Sequence, residues 1–328
     1  MSWRQNSPTM HFNFNQAQNG FGNKLSAQQS TSQILMIRPA RFGFNSETAD
    51  SNSFQENLEA EASEIQIRAL TEFDAMVEKI RFKGVKVLVA DDTELPIKPD
   101  AVFPNNWVSF HGRGIMVLHP MKARNRRWER RPVLVRTLKC GFQVKTLLDL
   151  SESEIRGEYL EGTGSLVLDR IHHIAYAALS PRTHLSALKE FCDHLNYELH
   201  AFHTLDFKGQ EIYHTNVILT LGTDFAVICA EAISKEEERN SILKTLRQSG
   251  KDLILISPDQ VQNYCGNMLE VRNEDGQTFL VVSETALKAF DSSQIRQLEK
   301  YVELIPVSIN TIEKVGGGSA RCMMAEIF

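Results

Sequence analysis

The stretch His214-Thr-Asn-Val-Ile-Leu-Thr-Leu-Gly-Thr-Asp-Phe-Ala-Val-Ile-Cys229 contains two short apolar runs that follow one another closely. The runs at residues 217–220 and 225–229 are rich in β-branched and aromatic residues, which favours strands. The Gly-Thr-Asp segment between them is typical of a tight turn. The stretch therefore predicts a β-hairpin, with the polar group His214-Thr-Asn216 directly before its first strand.

The same pattern recurs five times along the chain. In each unit a segment of helical period leads to an apolar strand, and two further strands joined by a tight turn follow. The equivalent strands begin at Trp107, Ser165, Val217, Met268 and Met323, at spacings of 58, 52, 51 and 55 residues. Five units of about fifty residues predict a closed, propeller-like α/β ring that leaves no exposed sheet edge. An open α/β sheet, in which strands and helices alternate one for one, is the alternative.

The predicted helices span residues 55–82, 127–139, 185–195, 235–248 and 292–301. The fifth unit lacks a closing strand, whereas the first strand of the chain, at residues 34–37, is spare. Lending that strand to the fifth unit closes the ring. Residues 1–31 are rich in Asn, Gln, Ser and Gly and predict a disordered extension. Residues 32–328 are then expected to form one catalytic domain.

Composition excludes several classes of function. The chain has 328 residues and a net charge of −5, which argues against nucleic acid or an anionic membrane as the main partner. No apolar run is long enough for a transmembrane helix, and no signal-peptide pattern is present. The five cysteines form no CxxC pair, which argues against a zinc site or a disulfide framework. We therefore expect a cytoplasmic protein.

Polar residues cluster just before the equivalent strands and, in a ring, would meet at its centre. They include Asp100, Asn106, Glu161, His214, Asn216, Asn263 and Asn267, and Cys322 follows the glycine run Gly316–Gly318. A cysteine, a histidine and a glutamate from three units would supply a nucleophile, a general base or acid, and its carboxylate partner. The positive charge of Arg321 would favour the thiolate form of Cys322. The alternative is a glycine-rich turn followed by a buried cysteine that packs as a small hydrophobic residue.

Seven strings carry a resemblance to a known superfamily. They are Met36-Ile-Arg-Pro39, Phe103-Pro-Asn-Asn-Trp107, Glu161-Gly-Thr-Gly-Ser165, Ser180-Pro-Arg-Thr183, Tyr213-His-Thr-Asn216, Gly266-Asn-Met-Leu-Glu270 and Gly317-Gly-Ser-Ala-Arg-Cys-Met323. In this order they resemble the amidinotransferase or guanidino-group-modifying superfamily (penteins), which includes arginine deiminase and dimethylarginine dimethylaminohydrolase. The likeness is greatest to its citrulline-utilisation hydrolase branch.

The resemblance implies a five-bladed α/β propeller and a covalent thiol mechanism. It implies that Cys322 is the nucleophile, His214 the proton shuttle, and Glu161 the carboxylate that orients His214 or binds the substrate nitrogens. It also implies that Arg182 binds the α-carboxylate of the substrate. Arg126 is a weaker candidate for a similar role, since its basic run could be a solvated helix start.

Asn106 and Asn216 stand where the arginine-processing relatives carry aspartates. A carboxylate pairs with a cationic guanidinium, whereas a neutral amide offers one donor group and one acceptor and no charge. These asparagines therefore favour a neutral ureido group, although Asn is also common in turns ahead of strands. Asp100 is a further candidate for substrate binding. Gly164 would let the substrate approach the backbone, but a plain turn also accounts for it.

The expected reaction is the hydrolysis of citrulline to ornithine, carbon dioxide and ammonia through a covalent intermediate on Cys322. The alternatives are an arginine-type deiminase, an amidinotransferase, or a catalytically silent propeller that binds an amino acid or a protein. No metal or organic cofactor is expected. The expected partner is a small amino-acid substrate, and homo-oligomerisation stays open.

Overall fold

The computed structural model describes residues 28–328, so most of the predicted N-terminal extension lies outside the described residues. Residues 29–31, which the prediction assigned to the extension, are buried. The side chain of Gln29 donates to the carbonyl of Leu168 and accepts from the backbone N–H of Arg170, both at 2.9 Å. These long-range bonds hold a polar segment whose composition alone predicts disorder.

Fifteen strands within residues 28–328 form five three-stranded sheets. The strands are β1 (Gln33–Arg38), β2 (Lys86–Asp91), β3 (Val108–His111), β4 (Ile115–Leu118), β5 (Thr146–Asp149), β6 (Val167–Asp169), β7 (Ile174–Leu179), β8 (Glu198–His203), β9 (Leu219–Leu221), β10 (Phe225–Ile228), β11 (Asp252–Leu255), β12 (Leu269–Arg272), β13 (Thr278–Ser283), β14 (Glu303–Val307) and β15 (Ala325–Ile327). The orders are β15-β1-β2, β3-β4-β5, β6-β7-β8, β11-β10-β9 and β12-β13-β14. The predicted α/β fold of five repeated units is confirmed.

Eleven helices of the described chain connect the strands or precede them. They are α1 (Ser46–Ala49), α2 (Ala62–Phe82), α3 (Arg124–Arg127), α4 (Pro132–Gly141), α5 (Gly162–Ser165), α6 (Leu185–Leu195), α7 (Glu236–Gln248), α8 (Pro258–Gln262), α9 (Glu284–Ala289), α10 (Ser292–Leu298) and α11 (Asn310–Gly316). The second predicted helix is in fact two, because Pro132 occupies the first turn of a new helix. No helix of the described chain has the length and apolar character needed to cross a membrane.

The grouping of strands within each unit differs from the prediction. The strand after each main helix pairs with the hairpin before that helix, not with the hairpin after it; β5, for example, lies parallel to β4. The reason is that parallel neighbours need a long crossover, and the helix supplies it, whereas antiparallel neighbours need only a tight turn. Four of the five sheets are therefore a hairpin followed by a helix and a parallel third strand, and in the fifth β15 and β1 take the place of the hairpin.

The spare N-terminal strand closes the ring, as expected. β1 pairs antiparallel with β15, with Leu35 opposite Ala325, and parallel with β2, with Met36 opposite Val89. Ile34, Leu35 and Met36 are fully buried. Both ends of the described chain thus share one sheet, with β1 at its centre.

The first strand of each hairpin begins one or two residues later than predicted. In four of the five units a single helical turn comes before it, at Pro104–Asn106, Gly162–Ser165, Thr215–Val217 and Ala320–Met323. Neighbouring sheets touch through these first strands, since β15 contacts β3, and β9 contacts both β6 and β12. The short turns are therefore carried inward to one region.

We expect Ile34→Ala to lower the free energy of unfolding by about 2–5 kcal/mol, because it leaves a cavity beside the strand that closes the ring. Ile67→Ala is the matched control. Its side chain on α2 is 64% exposed, and its loss should change stability by less than about 0.5 kcal/mol. Urea denaturation followed by circular dichroism measures both, and equal losses would contradict a core role for β1.

Candidate active site

The residues directly before the five equivalent strand starts converge at the centre of the fold. They are Asn106, Gly164, Asn216, Asn267 and Cys322. The Nδ2 atoms of Asn216 and Asn267 lie 3.5 and 3.3 Å from the Sγ atom of Cys322. Asn106 and His214 line the same pocket as Cys322. Side chains from distant parts of the sequence thus meet around one sulfur atom.

Cys322 lies in a helical turn and not at the mouth of a strand. It is 3% exposed, and α11 ends just before it at Gly316. Only Gly317 of the three glycines has a left-handed conformation, with φ of +64°. A Cβ atom on Gly316 would lie 2.7 Å from the ring of Phe103. The glycine run therefore combines one sharp turn with close packing on an aromatic ring.

The guanidinium of Arg321, beside Cys322 in sequence, is directed elsewhere. It donates to Glu326 at 2.7 Å and to the carbonyl of Met324 at 2.9 Å. The polar groups that contact the sulfur are neutral amides. Asn267 donates to the sulfur and also, at 3.0 Å, to the carbonyl of Asn216, so its amide is held in place.

His214 and Glu161 form a buried pair. Nε2 of His214 lies 2.9 Å from Oε2 of Glu161, and the two residues are 1% and 0% exposed. An ionised carboxylate only accepts, so Nε2 carries the proton and Nδ1 keeps its lone pair. Glu161 is fixed on its other side by the backbone N–H of Lys122, which donates to Oε1 at 3.0 Å. The imidazole is thus held in one orientation and one tautomer.

Charges around this pair set its protonation. Burial alone would raise the pKa of Glu161, but Arg182, the bond from His214 and Arg126 outweigh burial and hold that pKa well below its usual range. Burial lowers the pKa of His214 to about 4, against the opposing effect of Glu161. Near neutral pH the pair is therefore a carboxylate and a neutral imidazole that can accept a proton.

Position 164 requires a glycine because two neighbouring side chains lie very close to its Cα atom. A Cβ atom there would lie 2.5 Å from Nδ2 of Asn106 and 2.7 Å from Nδ1 of His214. Any side chain would therefore push the amide and the imidazole away from their positions. This glycine makes room for protein groups at the pocket.

Arg126 is buried and paired with Glu129. Its Nε and Nη2 atoms donate to the two carboxylate oxygens at 2.8 and 3.0 Å. Its Nη1 atom donates to Oδ1 of Asn106 at 2.8 Å. Burial would lower the pKa of Arg126, but Glu129 and Asp100 outweigh this effect and raise it. Arg126 is therefore a fixed cation and not the solvated helix start that its sequence also allowed.

Asp100 lies in the same pocket, and one of its oxygens is satisfied. Oδ2 accepts from Nδ2 of Asn45 at 2.7 Å and lies 3.7 Å from Nε of Arg126. Oδ1 is buried and has no hydrogen-bond partner within residues 28–328. A buried acceptor without a partner is costly, so this atom is suited to a donor from a ligand or a water molecule.

Arg182 lines the pocket, but its donors are engaged. Nε and Nη2 donate to Oγ of Ser51 at 3.0 and 2.8 Å, and Nη2 also donates to the carbonyl of Thr48 at 3.0 Å. Its guanidinium carbon lies 4.8 Å from the ring centre of Tyr213. Arg182 thus holds the segment around α1 against the pocket.

Asn267 and Tyr213 are contacts of the site that the sequence pattern left without a role. Asn267 occupies the same repeat position as Asn106 and Asn216, and this position was the available signal. Tyr213 donates from its hydroxyl to the carbonyl of Gly317 at 2.7 Å and lies 4.7 Å from the ring of His214. No periodic feature of the sequence distinguishes Tyr213.

Within the described chain, no group of three His, Cys, Asp or Glu side chains is placed to hold a metal ion. All five cysteines are unpaired, and only Cys140 among them is exposed. The chemical groups gathered at the centre are therefore a thiol, an imidazole, carboxylates, guanidinium groups and amides.

Solved structures with the same fold confirm the five-bladed propeller. A cysteine-to-serine variant of the N-terminal domain of ArgZ, a cyanobacterial arginine dihydrolase, with bound substrate matches with a TM-score of 0.70 at 17% identity, covering 90% of this chain and 97% of that one. A variant of AgrE in complex with L-arginine gives 0.71 at 16% identity, covering 90% of this chain and 40% of that one. A dimethylarginine dimethylaminohydrolase adduct with S-methyl-L-thiocitrulline gives 0.63 at 16% identity, covering 90% and 99%.

Comparison with curated proteins gives no match. The family model described as "N,N dimethylarginine dimethylhydrolase, eukaryotic" matches residues 38–328, which include every residue of the site described above. The match extends over all five sheets apart from most of β1. The chain therefore belongs to the N,N-dimethylarginine dimethylhydrolase family of guanidino-group hydrolases.

Proposed function

We propose that this protein hydrolyses citrulline to ornithine, carbon dioxide and ammonia through a covalent intermediate on Cys322. His214 moves the protons, and Glu161 orients and stabilises the imidazole. Family membership supports the coarser reaction, hydrolysis of a C–N bond in a guanidino-type group. The choice of citrulline rests on the chemistry of the amides at the site.

The observation that carries the proposal is the pair of neutral amides, Asn106 and Asn216, beside the nucleophile. Asn216 directs Nδ2 to the sulfur, so its Oδ1 is turned away, and that atom is buried without a partner in the described chain. Asn106 directs Oδ1 to Arg126 and keeps its N–H groups on the other side. The site therefore presents both an acceptor and donors.

A ureido group matches this mixed pattern. Its carbonyl oxygen accepts, and its terminal nitrogen donates. A guanidinium only donates and carries a positive charge, so it would leave the donors of Asn106 without an acceptor and would gain no charge-assisted bond from either amide. The pattern favours the neutral head group.

In the first half of the reaction, the sulfur of Cys322 attacks the ureido carbon, and the thiol proton passes to the neutral His214. The bond between that carbon and the δ-nitrogen then breaks, and His214 returns the proton to the nitrogen, so ornithine leaves. A carbamoyl thioester stays on Cys322. The amides of Asn216 and Asn267 are suited to stabilise the negative charge that develops beside the sulfur.

In the second half, His214 takes a proton from water, which attacks the thioester carbon. The C–S bond breaks, the sulfur recovers a proton, and carbamic acid is released. Carbamic acid then separates into carbon dioxide and ammonia. One water molecule is consumed in the whole sequence.

Charged groups of the same pocket suit the α-amino acid part of the substrate. The carboxylate of Asp100, with its unpartnered oxygen, suits the α-ammonium group. Arg182 suits the α-carboxylate once Ser51 is displaced, and the buried Arg126 adds positive charge nearby.

A second candidate is a guanidino-amino-acid hydrolase. The orphan oxygen of Asp100 favours it, because a buried carboxylate pairs well with a cationic guanidinium. The family model and the L-arginine complex of AgrE are consistent with this candidate. The relative turnover of citrulline and of guanidino substrates decides between these two candidate functions.

We expect wild-type protein to release ornithine and ammonia from citrulline, with much slower turnover of arginine and dimethylarginine. Cys322→Ala should abolish turnover, because no other group supplies the covalent nucleophile. Chromatographic quantification of ornithine and an ammonia assay measure both products. Cys140→Ala, at an exposed cysteine, is the matched control and should keep full activity. Preferred turnover of a guanidino substrate would overturn the citrulline proposal in favour of the second candidate.

Glu161→Gln should lower kcat by about 10²–10⁴-fold, because the carboxylate that holds and stabilises the protonated imidazole is lost. The carboxylate raises the pKa of His214, so its removal lowers that pKa further. The acidic limb of the kcat/KM profile, which reports protonation of free His214, should therefore move to lower pH. Steady-state kinetics across pH measure this shift.

Glu198→Gln is the control for this prediction, because that carboxylate is 71% exposed. Its profile should match wild type. A shift of the acidic limb to higher pH in Glu161→Gln would contradict the assigned role.

Asn267→Ala should slow iodoacetamide alkylation of Cys322 at neutral pH by about 10–100-fold, because it removes an amide donor to the sulfur. Asn263→Ala, at an exposed asparagine of the same unit, should leave the rate unchanged. Peptide mass spectrometry follows Cys322 separately from the exposed Cys140. If both variants reacted at the wild-type rate, Asn267 would have no part in activating the thiol.

A further inference from the structure

We propose that Arg126 is a positioning residue that fixes the orientation of the Asn106 amide and thereby selects a neutral ureido head group over a guanidinium. This inference rests on the proposed function, because it concerns the substrate choice of the same site. It assigns to Arg126 a task different from gripping the α-carboxylate.

The first step is the contact itself. Nη1 of Arg126 lies 2.8 Å from Oδ1 of Asn106, and both residues are buried. A guanidinium has N–H donors and no acceptor, so only the oxygen of an amide can face it. The oxygen of Asn106 must therefore point towards Arg126, and its nitrogen must point away.

The second step is the rigidity of Arg126. Its Nε and Nη2 atoms hold both oxygens of Glu129, and Nη2 also lies 3.3 Å from the carbonyl of Phe103. Asp100 lies 3.7 Å from Nε. A guanidinium held on several sides cannot follow a rotating amide, so it acts as a fixed reference for the orientation of Asn106.

The third step is the location of the Asn106 nitrogen. Nδ2 lies at the point where a Cβ atom on Gly164 would come within 2.5 Å, and the imidazole of His214 borders the same space at 2.7 Å. The donor side of the amide thus faces the catalytic groups. Nδ2 has two N–H groups, and within residues 28–328 only Oδ1 of Asn105 accepts from it, at 3.0 Å.

The orientation of the Asn106 amide also determines the orientation of the Asn105 amide. Because its Oδ1 accepts from Asn106, its own Nδ2 is turned the other way. That nitrogen is buried and finds no acceptor in the described part of the chain. Arg126 therefore sets the orientation of both amides, and N–H groups of both amides are left without an acceptor.

The carbonyl oxygen of a ureido group is such an acceptor for the second N–H of Asn106, which lines the pocket with Cys322. On the other side of the nucleophile, the buried Oδ1 of Asn216 is a matching acceptor for a ureido N–H. Without Arg126, the Asn106 amide could rotate by half a turn and present its oxygen instead. The pocket would then tolerate a guanidinium, which only donates.

The test measures binding to catalytically inactive Cys322→Ala protein by isothermal titration calorimetry. The probes are citrulline and arginine, which share the same α-amino acid end and differ in the head group. The ratio of their Kd values therefore cancels any effect of Arg126 on the α-carboxylate. We expect citrulline to bind more tightly, and Arg126→Gln, which can donate or accept, to shift the ratio towards arginine by at least about tenfold, equivalent to about 1.4 kcal/mol.

A double-mutant cycle separates positioning from a general structural role. In an Asn106→Ala background, Arg126→Gln should leave the ratio unchanged, because the amide that it orients is absent. Equal weakening of both ligands by Arg126→Gln, or the same ratio shift without Asn106, would overturn the inference.

If Arg126→Gln does not fold, as judged by circular dichroism, Arg126→Lys carries the test. This change keeps a positive charge beside Glu129 but removes the planar fork that holds Glu129 and the oxygen of Asn106 together. The ratio should shift towards arginine by at least about tenfold, and an unchanged ratio would overturn the inference. Wild-type protein that binds citrulline without hydrolysing it would instead refute the proposed function and leave the ratio readable.

Discussion

The antiparallel pairing of β1 with β15 is the constraint on which the rest of the site depends. It places Leu35 opposite Ala325 and fixes the position of the last strand. Cys322 lies only three residues before Ala325, so the register of this pairing also fixes the position of the proposed nucleophile. The hairpins of the other sheets bring His214, Asn216 and Asn267 to the same centre. A ring without this closure would keep those side chains but have no defined place for the sulfur.

Charge at the centre is distributed so that each buried ion has a partner. Glu161 faces Arg182 and His214, and Glu129 takes two bonds from Arg126. Burying an ion without such pairing would cost several kcal/mol. The groups that contact the sulfur are neutral amides, whose dipoles can stabilise a developing charge without adding a net charge. The ionic pairs therefore hold the site in shape, and in the proposed reaction the amides contact the head group.

The repeat, the closing strand and the candidate residues could be predicted because they depend on local features. Strand period, turn residues and a fixed spacing are visible in a single chain, and Asn106, His214 and Cys322 follow from them. Contacts between distant segments are not visible in this way. The bond from Asn45 to Asp100 and those from Arg182 to Ser51 join segments that have no shared pattern. For the same reason, the sequence alone left open whether Arg126 belongs to a solvated helix start or binds the substrate.

The convergence of five repeat positions gives the site a modular character. Each blade supplies one residue, Asn106, Gly164, Asn216, Asn267 or Cys322, from a turn that its own hairpin supports. A substitution at one position changes one wall of the pocket while the other four keep their scaffolds. Residues on different blades can thus change independently of one another, so that the reaction type and the head-group preference can change separately. A propeller of this kind is a natural starting point for families in which one fold serves many related substrates.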